Sequence, residues 1–183
     1  MERNARWLVG RSTARRRPTR VAGIVAGMLV VVLLAVSALP AAAAPANDNF
    51  NTPRVLRGER VRVIGTTSGA TRQTGEPDHY TDPVPGDAWA WEGDHSVWFR
   101  WKAPRSGNVT INTCTAHIDS ILAVYTGNNI ASLTRVTDNN NACPTGFGSK
   151  VTFGAQRGGV YRIAVGDAGG ARENSFTLRL KFV

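Results

Sequence analysis

Two short segments hold the side chains best suited to chemistry: Glu76-Pro77-Asp78-His79 and Glu92-Gly93-Asp94-His95. Each sets two carboxylates beside an imidazole, the donor types of a divalent-metal cluster or a general acid–base pair. Read that way, the pair of segments predicts a small metal-assisted hydrolase. The competing reading is a solvated loop, in which carboxylates accept hydrogen bonds from turn amides and the histidines orient the flanking chain. The remaining catalytic vocabulary is thin. The sequence has no Gly-x-Ser-x-Gly elbow, no His-Glu-x-x-His and no glycine-rich phosphate loop. A protein that is not an enzyme is the favoured expectation.

Hard oxygen donors recur in the polar segments: Asn47, Asp48, Asp119, Asp138, Asn139 and Asp167. Calcium takes roughly six to eight such ligands, so a calcium-stabilised structural domain is a further alternative. No Asp-x-Asp-x-Asp-Gly run gathers the donors into one loop. Trp89 and Trp91 lie among proline and glycine in the stretch 76–95, where flat rings are placed to stack on sugar faces. Glu76 and His79 open the same stretch and join the two tryptophans as candidate ligand-binding residues. Trp101 shares parity with Val97 and Phe99 and is expected in the core. Trp98 has the opposite parity and is expected to pack beneath the loop.

The chemistry must be positioned by strands. Arg60 to Val63 alternates charged and apolar residues, and apolar residues recur at every second position in the stretches 96–102, 109–113, 151–155, 161–165 and 176–182. Ile121-Leu122-Ala123-Val124-Tyr125 is a continuous apolar run, suited to a central strand covered on both faces. Residues 133–136 read as a short strand and 138–141 as a polar turn, while 66–75 reads as a turn or a short edge strand. Phe50 is expected to dock the start of the chain. About eight strands with Gly- and Asn-rich turns predict an all-β antiparallel sandwich or barrel.

The first 46 residues read as a separate unit. Seven arginines precede Val21, residues 21–39 carry no charge, and Ala44-Pro45-Ala46 fits a small-x-small exit, so 1–46 is expected to be a secretory signal peptide. Residues 47–183 then form a single domain, secreted and extracellular, touching a membrane only through the leader before cleavage. The chain has 22 basic and 13 acidic residues and a formal charge of +9, but residues 47–183 hold 15 and 12, net +3. Most of the excess thus belongs to the leader, and the total charge is no nucleic-acid footprint. An exported chain with two cysteines, Cys114 and Cys143, most simply forms one disulfide.

An ordered series of short motifs runs through residues 47–183. It comprises Asn47-Asp48-Asn49-Phe50, Gly69-Ala70-Thr71, Gly75-Glu76-Pro77 with His79, Ser96-Val97-Trp98-Phe99-Arg100-Trp101, Ala103-Pro104, Ser106-Gly107, Thr113-Cys114, Leu122-Ala123-Val124-Tyr125-Thr126-Gly127 and Tyr161-Arg162-Ile163-Ala164-Val165. The series resembles the bacterial pre-peptidase C-terminal family of extracellular modules. The resemblance implies a jelly-roll-like sandwich and a non-catalytic accessory role, with a structural task for Glu76 and His79. Asp138-Asn139-Asn140 stands where the family often has a more acidic turn, and the loop from His79 to Ser96 is longer than usual. The function expected is a secreted binding module that recognises an extracellular polysaccharide or other polymer, or an exported protein.

Overall fold

Side-chain parity along the strands decides which residues face inward. In Ser175–Phe182 the apolar Phe176, Leu178 and Leu180 are buried, while the alternating Arg179 and Lys181 are exposed. The same rule operates in Lys150–Ala155, where Val151, Phe153 and Ala155 point inward. The structure, a computed structural model, describes residues 43–80, 95–115, 118–144, 146–168 and 175–183. Nearly all of the expected leader lies outside the described residues, as do Trp89, Trp91, Glu92 and Asp94. Among the described residues no helix is long and apolar enough to cross a membrane.

The strands are β1 (Arg54–Leu56), β2 (Arg60–Thr66), β3 (Ser96–Lys102), β4 (Gly107–Asn112), β5 (Ser120–Thr126), β6 (Thr134–Asn140), β7 (Lys150–Ala155), β8 (Val160–Asp167) and β9 (Ser175–Phe182). They form a five-stranded sheet in the order β1-β3-β8-β5-β6 and a four-stranded sheet in the order β2-β9-β4-β7. From β2 onward, each strand lies in the opposite sheet from its predecessor, except for the β5–β6 pair. This is jelly-roll connectivity in eight strands. The ninth, β1, is an addition of three residues that runs parallel to β3. It is the one exception to antiparallel pairing among the described strands.

The inner faces of the two sheets meet in a core that includes Val97, Phe99, Trp101, Ile111, Leu122, Val124, Ile163, Phe176, Leu178 and Leu180. Trp101 is fully buried, as its parity predicts, and its indole N–H donates to the Gly58 carbonyl at 3.0 Å. A second, smaller core lies on the outer side of the five-stranded sheet, where Phe50, Trp98, Ala123, Tyr125 and Ala164 pack together. The first residues of the domain create it. Asn47 exchanges hydrogen bonds with the Trp98 backbone, at 2.8 Å through its carbonyl and 3.0 Å through its side chain. That clamp brings the Phe50 ring edge-on to Trp98 with centroids 5.1 Å apart. Strand β5 is therefore covered on both faces, and its unbroken apolar run follows from that.

Residues 138–140 differ from the sequence expectation. Asp138, Asn139 and Asn140 are not a turn but the end of β6, paired with Ala123, Leu122 and Ile121. Their turn-forming side chains are tolerated because β6 is an edge strand, and the ladder with β5 overrides local propensity. Residues 67–80 form no strand among themselves and wrap the outer core instead.

Cys114 and Cys143 are bonded, and the disulfide ties the exit of β4 to the segment after β6, across the two sheets. Gly148 passes so close that a methyl group there would stand 2.9 Å from Cys143 Sγ and 3.0 Å from Cys114 Cα. Buried Thr113, Ser120 and Ser149 hydrogen-bond beside it, with the Thr113 and Ser120 hydroxyls 2.6 Å apart.

Candidate functional site

Glu76 and His79 lie in the wrapping segment and face inward, 6% and 1% exposed. Gly75 turns the chain into them with a positive φ of 81°, a conformation that a side chain at that position would strain. His79 Nε2 lies 2.8 Å from Glu76 Oε1, and the Ser96 hydroxyl donates to the same oxygen. The Gln73 amide donates to Oε2 at 2.7 Å. Burial would raise the Glu76 carboxyl, but hydrogen bonds from His79, the Gln73 amide and Ser96 outweigh it and hold the group below its ordinary value. Because a carboxylate only accepts, Nε2 of His79 carries a proton. Nδ1 faces the Tyr125 hydroxyl at 2.9 Å, and the imidazole meets Trp98 edge-on at 5.3 Å. Burial drives the Tyr125 hydroxyl well above its ordinary pKa.

Serine, glutamate and histidine in one network invite comparison with a hydrolytic triad, and the geometry does not fit one. The Ser96 hydroxyl bonds the carboxylate rather than the imidazole, and Ser96 is fully buried. A nucleophile needs its base within reach and a path for substrate. What the network does instead is lock the wrapping segment onto the outer core. The third member of that segment, Asp78, pairs with Arg72, and its carbonyl accepts from Arg135. His95 is exposed just ahead of β3, and the other residues of its segment, Glu92 and Asp94, lie outside the described residues. The candidate sugar platform, Trp89 and Trp91, lies outside them as well.

The candidate calcium ligands are distributed over several local hydrogen-bonding tasks. Asp48 accepts from the Thr71 amide at 2.6 Å and the Thr71 hydroxyl at 2.8 Å, fastening the wrapping segment at its start. Asp138 lies 3.6 Å from Arg135. Asn139 accepts from the amides of Ala142 and Lys150, each at 3.0 Å, and so bridges β6 to β7. Asp119 and Asp167 do meet at one end of the sandwich. Among the described residues no group of three or more His, Cys, Asp and Glu side chains is arranged to hold a metal ion.

Burial first, and then the charge of Asp167, raise the Asp119 carboxyl. A carboxyl raised by folding weakens the fold once it ionises. That cost is complete above its folded pKa and absent below its unfolded value of roughly 3.9. Asp119→Asn should therefore raise the melting temperature at pH 7 and leave it unchanged near pH 3. The substitution keeps an oxygen for the Asn141 amide, which can donate to Asp119 Oδ1 at 3.0 Å once its side-chain oxygen and nitrogen are exchanged. Paired melts at the two pH values check it, and a lower melting temperature at pH 7 would refute it.

An open concavity lies elsewhere, at the edge where β1 meets β3. It encloses about 620 Å³, and its lining among the described residues includes Arg57, Arg100, Lys102 and Arg157 and no carboxylate. Arg100 stands opposite Arg162 across the β3–β8 pair. Arg162 is held below its ordinary pKa by burial and by Arg100, and its guanidinium lies 4.5 Å over the Phe50 ring. The sequence reading missed this groove. Arg54, Arg57, Arg60 and Arg62 crowd nine residues in which Glu59 is the only acid, but of the four only Arg57 lines the groove, and its other cations come from distant parts of the chain. Glu59 is engaged by Arg105 at 3.1 Å.

No protein-family model matches the chain, and no curated protein matches it. Solved structures do. The pre-peptidase C-terminal domain of a collagenase from Bacillus anthracis is 13% identical, over 70% of this chain and 92% of that one, with a TM-score of 0.37. PliG from Aeromonas hydrophila, a periplasmic inhibitor of g-type lysozyme, is 11% identical over 72% and 96%, with a TM-score of 0.42. CorA from Methylomicrobium album BG8, a surface-associated copper-binding protein, is 11% identical over 70% and 96%, with a TM-score of 0.39. The pre-peptidase C-terminal family, which the motif series resembles, is thus represented among the solved structures similar to this chain.

Proposed function

We propose that this chain is an exported, non-catalytic β-sandwich module that binds an extracellular polymer or an exported protein. One observation carries the reading. The side chains with the best chemical credentials, Glu76, His79 and Ser96, are buried and bonded to one another, while the open groove presents four cations and no acid among the described residues. Buried reactive groups in a satisfied network serve folding, whereas concave, unbalanced charge on a rigid strand edge favours a ligand. The leader-like start and the Cys114–Cys143 bond support an oxidising compartment.

The test is retention on a panel of cell-wall material, acidic and neutral polysaccharides, collagen and denatured protein. The double variant Arg57→Ser/Arg157→Ser should lose at least fivefold in affinity for whichever ligand is retained. Its melting temperature should stay within about 2 °C, because surface substitutions of this kind change stability little. No retention on any member of the panel would end the module reading. Retention unaffected by the double variant would remove the groove from it.

A further inference from the structure

The outer face of the four-stranded sheet has a charge pattern that folding alone does not call for. Along β2 the outward residues include Arg60 and Arg62, and along β9 Arg179 and Lys181. The register sets Arg60 against Lys181 and Arg62 against Arg179. Directly opposed like charges destabilise a strand pair, and an Arg–Glu alternation would have served solubility without that cost. Two strands further on, Lys150 of β7 stands opposite Asn112 of β4, which itself faces Arg179. The row Arg62, Arg179, Asn112, Lys150 therefore crosses all four strands. At roughly 4.8 Å per strand, it spans about 14 Å. All four of its members except Asn112 are exposed cations. Among the described residues no carboxylate is within ion-pair distance of these cations.

We infer that this face is a docking surface for a linear acidic polysaccharide. The inference goes beyond the groove described above to a second face, and rests on the module reading only for the claim that the chain binds extracellular material. Charge complementarity supplies the anionic requirement, since guanidinium groups bind carboxylate or sulfate in bidentate fashion. The rest of the face selects among polyanions. Asn112 and the exposed Thr152, whose hydroxyl lies 2.9 Å from that of buried Thr110, lie between the cations and offer donors and acceptors suited to sugar hydroxyls. No aromatic ring points outward from these four strands to stack a nucleobase, which single-stranded nucleic acid would need. Ile64 and, just past the end of β9, Val183 are the exposed large apolar side chains on or beside these four strands among the described residues, too few to wedge into a lipid surface. A shallow groove of about 480 Å³ runs between the β2 and β9 cations and gives a chain-like ligand its track.

The experiment measures affinity of the whole protein for polygalacturonate, heparin, neutral dextran, a single-stranded oligonucleotide and phosphatidylglycerol vesicles over a range of salt. Binding to polygalacturonate or heparin is expected, the two arms distinguishing carboxylate from sulfate. The variant Arg62→Gln/Arg179→Gln should weaken it at least tenfold and flatten the log–log salt dependence by about two charges. The same variant should melt no lower than the parent, because it removes an opposed like-charge pair. Binding to neither acidic polysaccharide while a protein or neutral polymer is still retained would overturn this inference and leave the module reading standing. Tighter binding to the oligonucleotide or the vesicles than to either polysaccharide would overturn the choice of occupant. Unchanged affinity in the double variant would remove the face.

Discussion

Replacing His79 by alanine should cost the domain about 3–5 kcal/mol, because it breaks a buried charge-assisted pair and leaves one partner behind. Glu76 would keep its burial but lose the strongest of the hydrogen bonds that hold it ionised. The missing ring would also open a void against Trp98 and Tyr125 in the outer core. For a domain of this size the loss corresponds to a fall in melting temperature on the order of 10 °C or more. Glu76→Gln keeps the shape and removes the charge, and should cost less. Its amide would set a donor against the Gln73 N–H that now bonds Oε2.

The pH dependence separates the two variants. A carboxyl lowered by folding contributes stability that is present above its unfolded pKa, roughly 4.3, and is lost as pH falls through its folded value. The parent protein should lose that share of its stability below about pH 4, and the Glu76→Gln variant should show a shallower acid limb. Chemical denaturation of both proteins between pH 3 and pH 7 measures this. Equal acid slopes in parent and Glu76→Gln would show that the network is not what titrates. A His79→Ala protein as stable as the parent would show that the wrapping segment is held by other contacts.

Opening the disulfide is the second large perturbation. Cys114 and Cys143 are 29 residues apart in sequence. Closing a loop of that length removes unfolded-state freedom worth about 3–4 kcal/mol on the chain-entropy account. In this fold the bond also holds the two sheets together at one end, with the Thr113 amide donating to the Ser149 carbonyl at 2.9 Å alongside it. The Cys114→Ala/Cys143→Ala protein should melt on the order of 10 °C lower than the oxidised parent. Reductant should bring the parent down towards that value and leave the double variant unmoved. A parent indifferent to reductant would mean that the sheets are secured without the bond.

What was legible in the chain was the part governed by strand parity. The alternation in 96–102, 151–155 and 176–182 placed Trp101, Phe153 and Leu178 inside because each face of a strand has only one environment. The apolar run 121–125 was readable as a strand covered twice, and Phe50 as the ring that anchors the start. What escaped depended on partners distant in sequence. Strand β1 has three residues and exists only because β3 offers a free edge. Asp138 and Asn139 carry turn chemistry, yet the ladder to β5 extends them. Glu76 and His79 could be singled out as ionisable neighbours, but their closure by Ser96 and Tyr125 requires the fold. The cationic face is the extreme case. Arg60 and Lys181 lie near opposite ends of the domain, and only the β2–β9 register makes them neighbours.

That register has a bearing on self-association. Strand β2 borders its sheet, and a bare border of unpaired amides and carbonyls invites a sister molecule to continue the ladder. Two arginines in its seven residues set charge against charge whenever two such borders approach, a guard against fibril growth. Neutralising them would lift that guard along with any ligand contact, so light scattering belongs beside every binding curve recorded for such a variant.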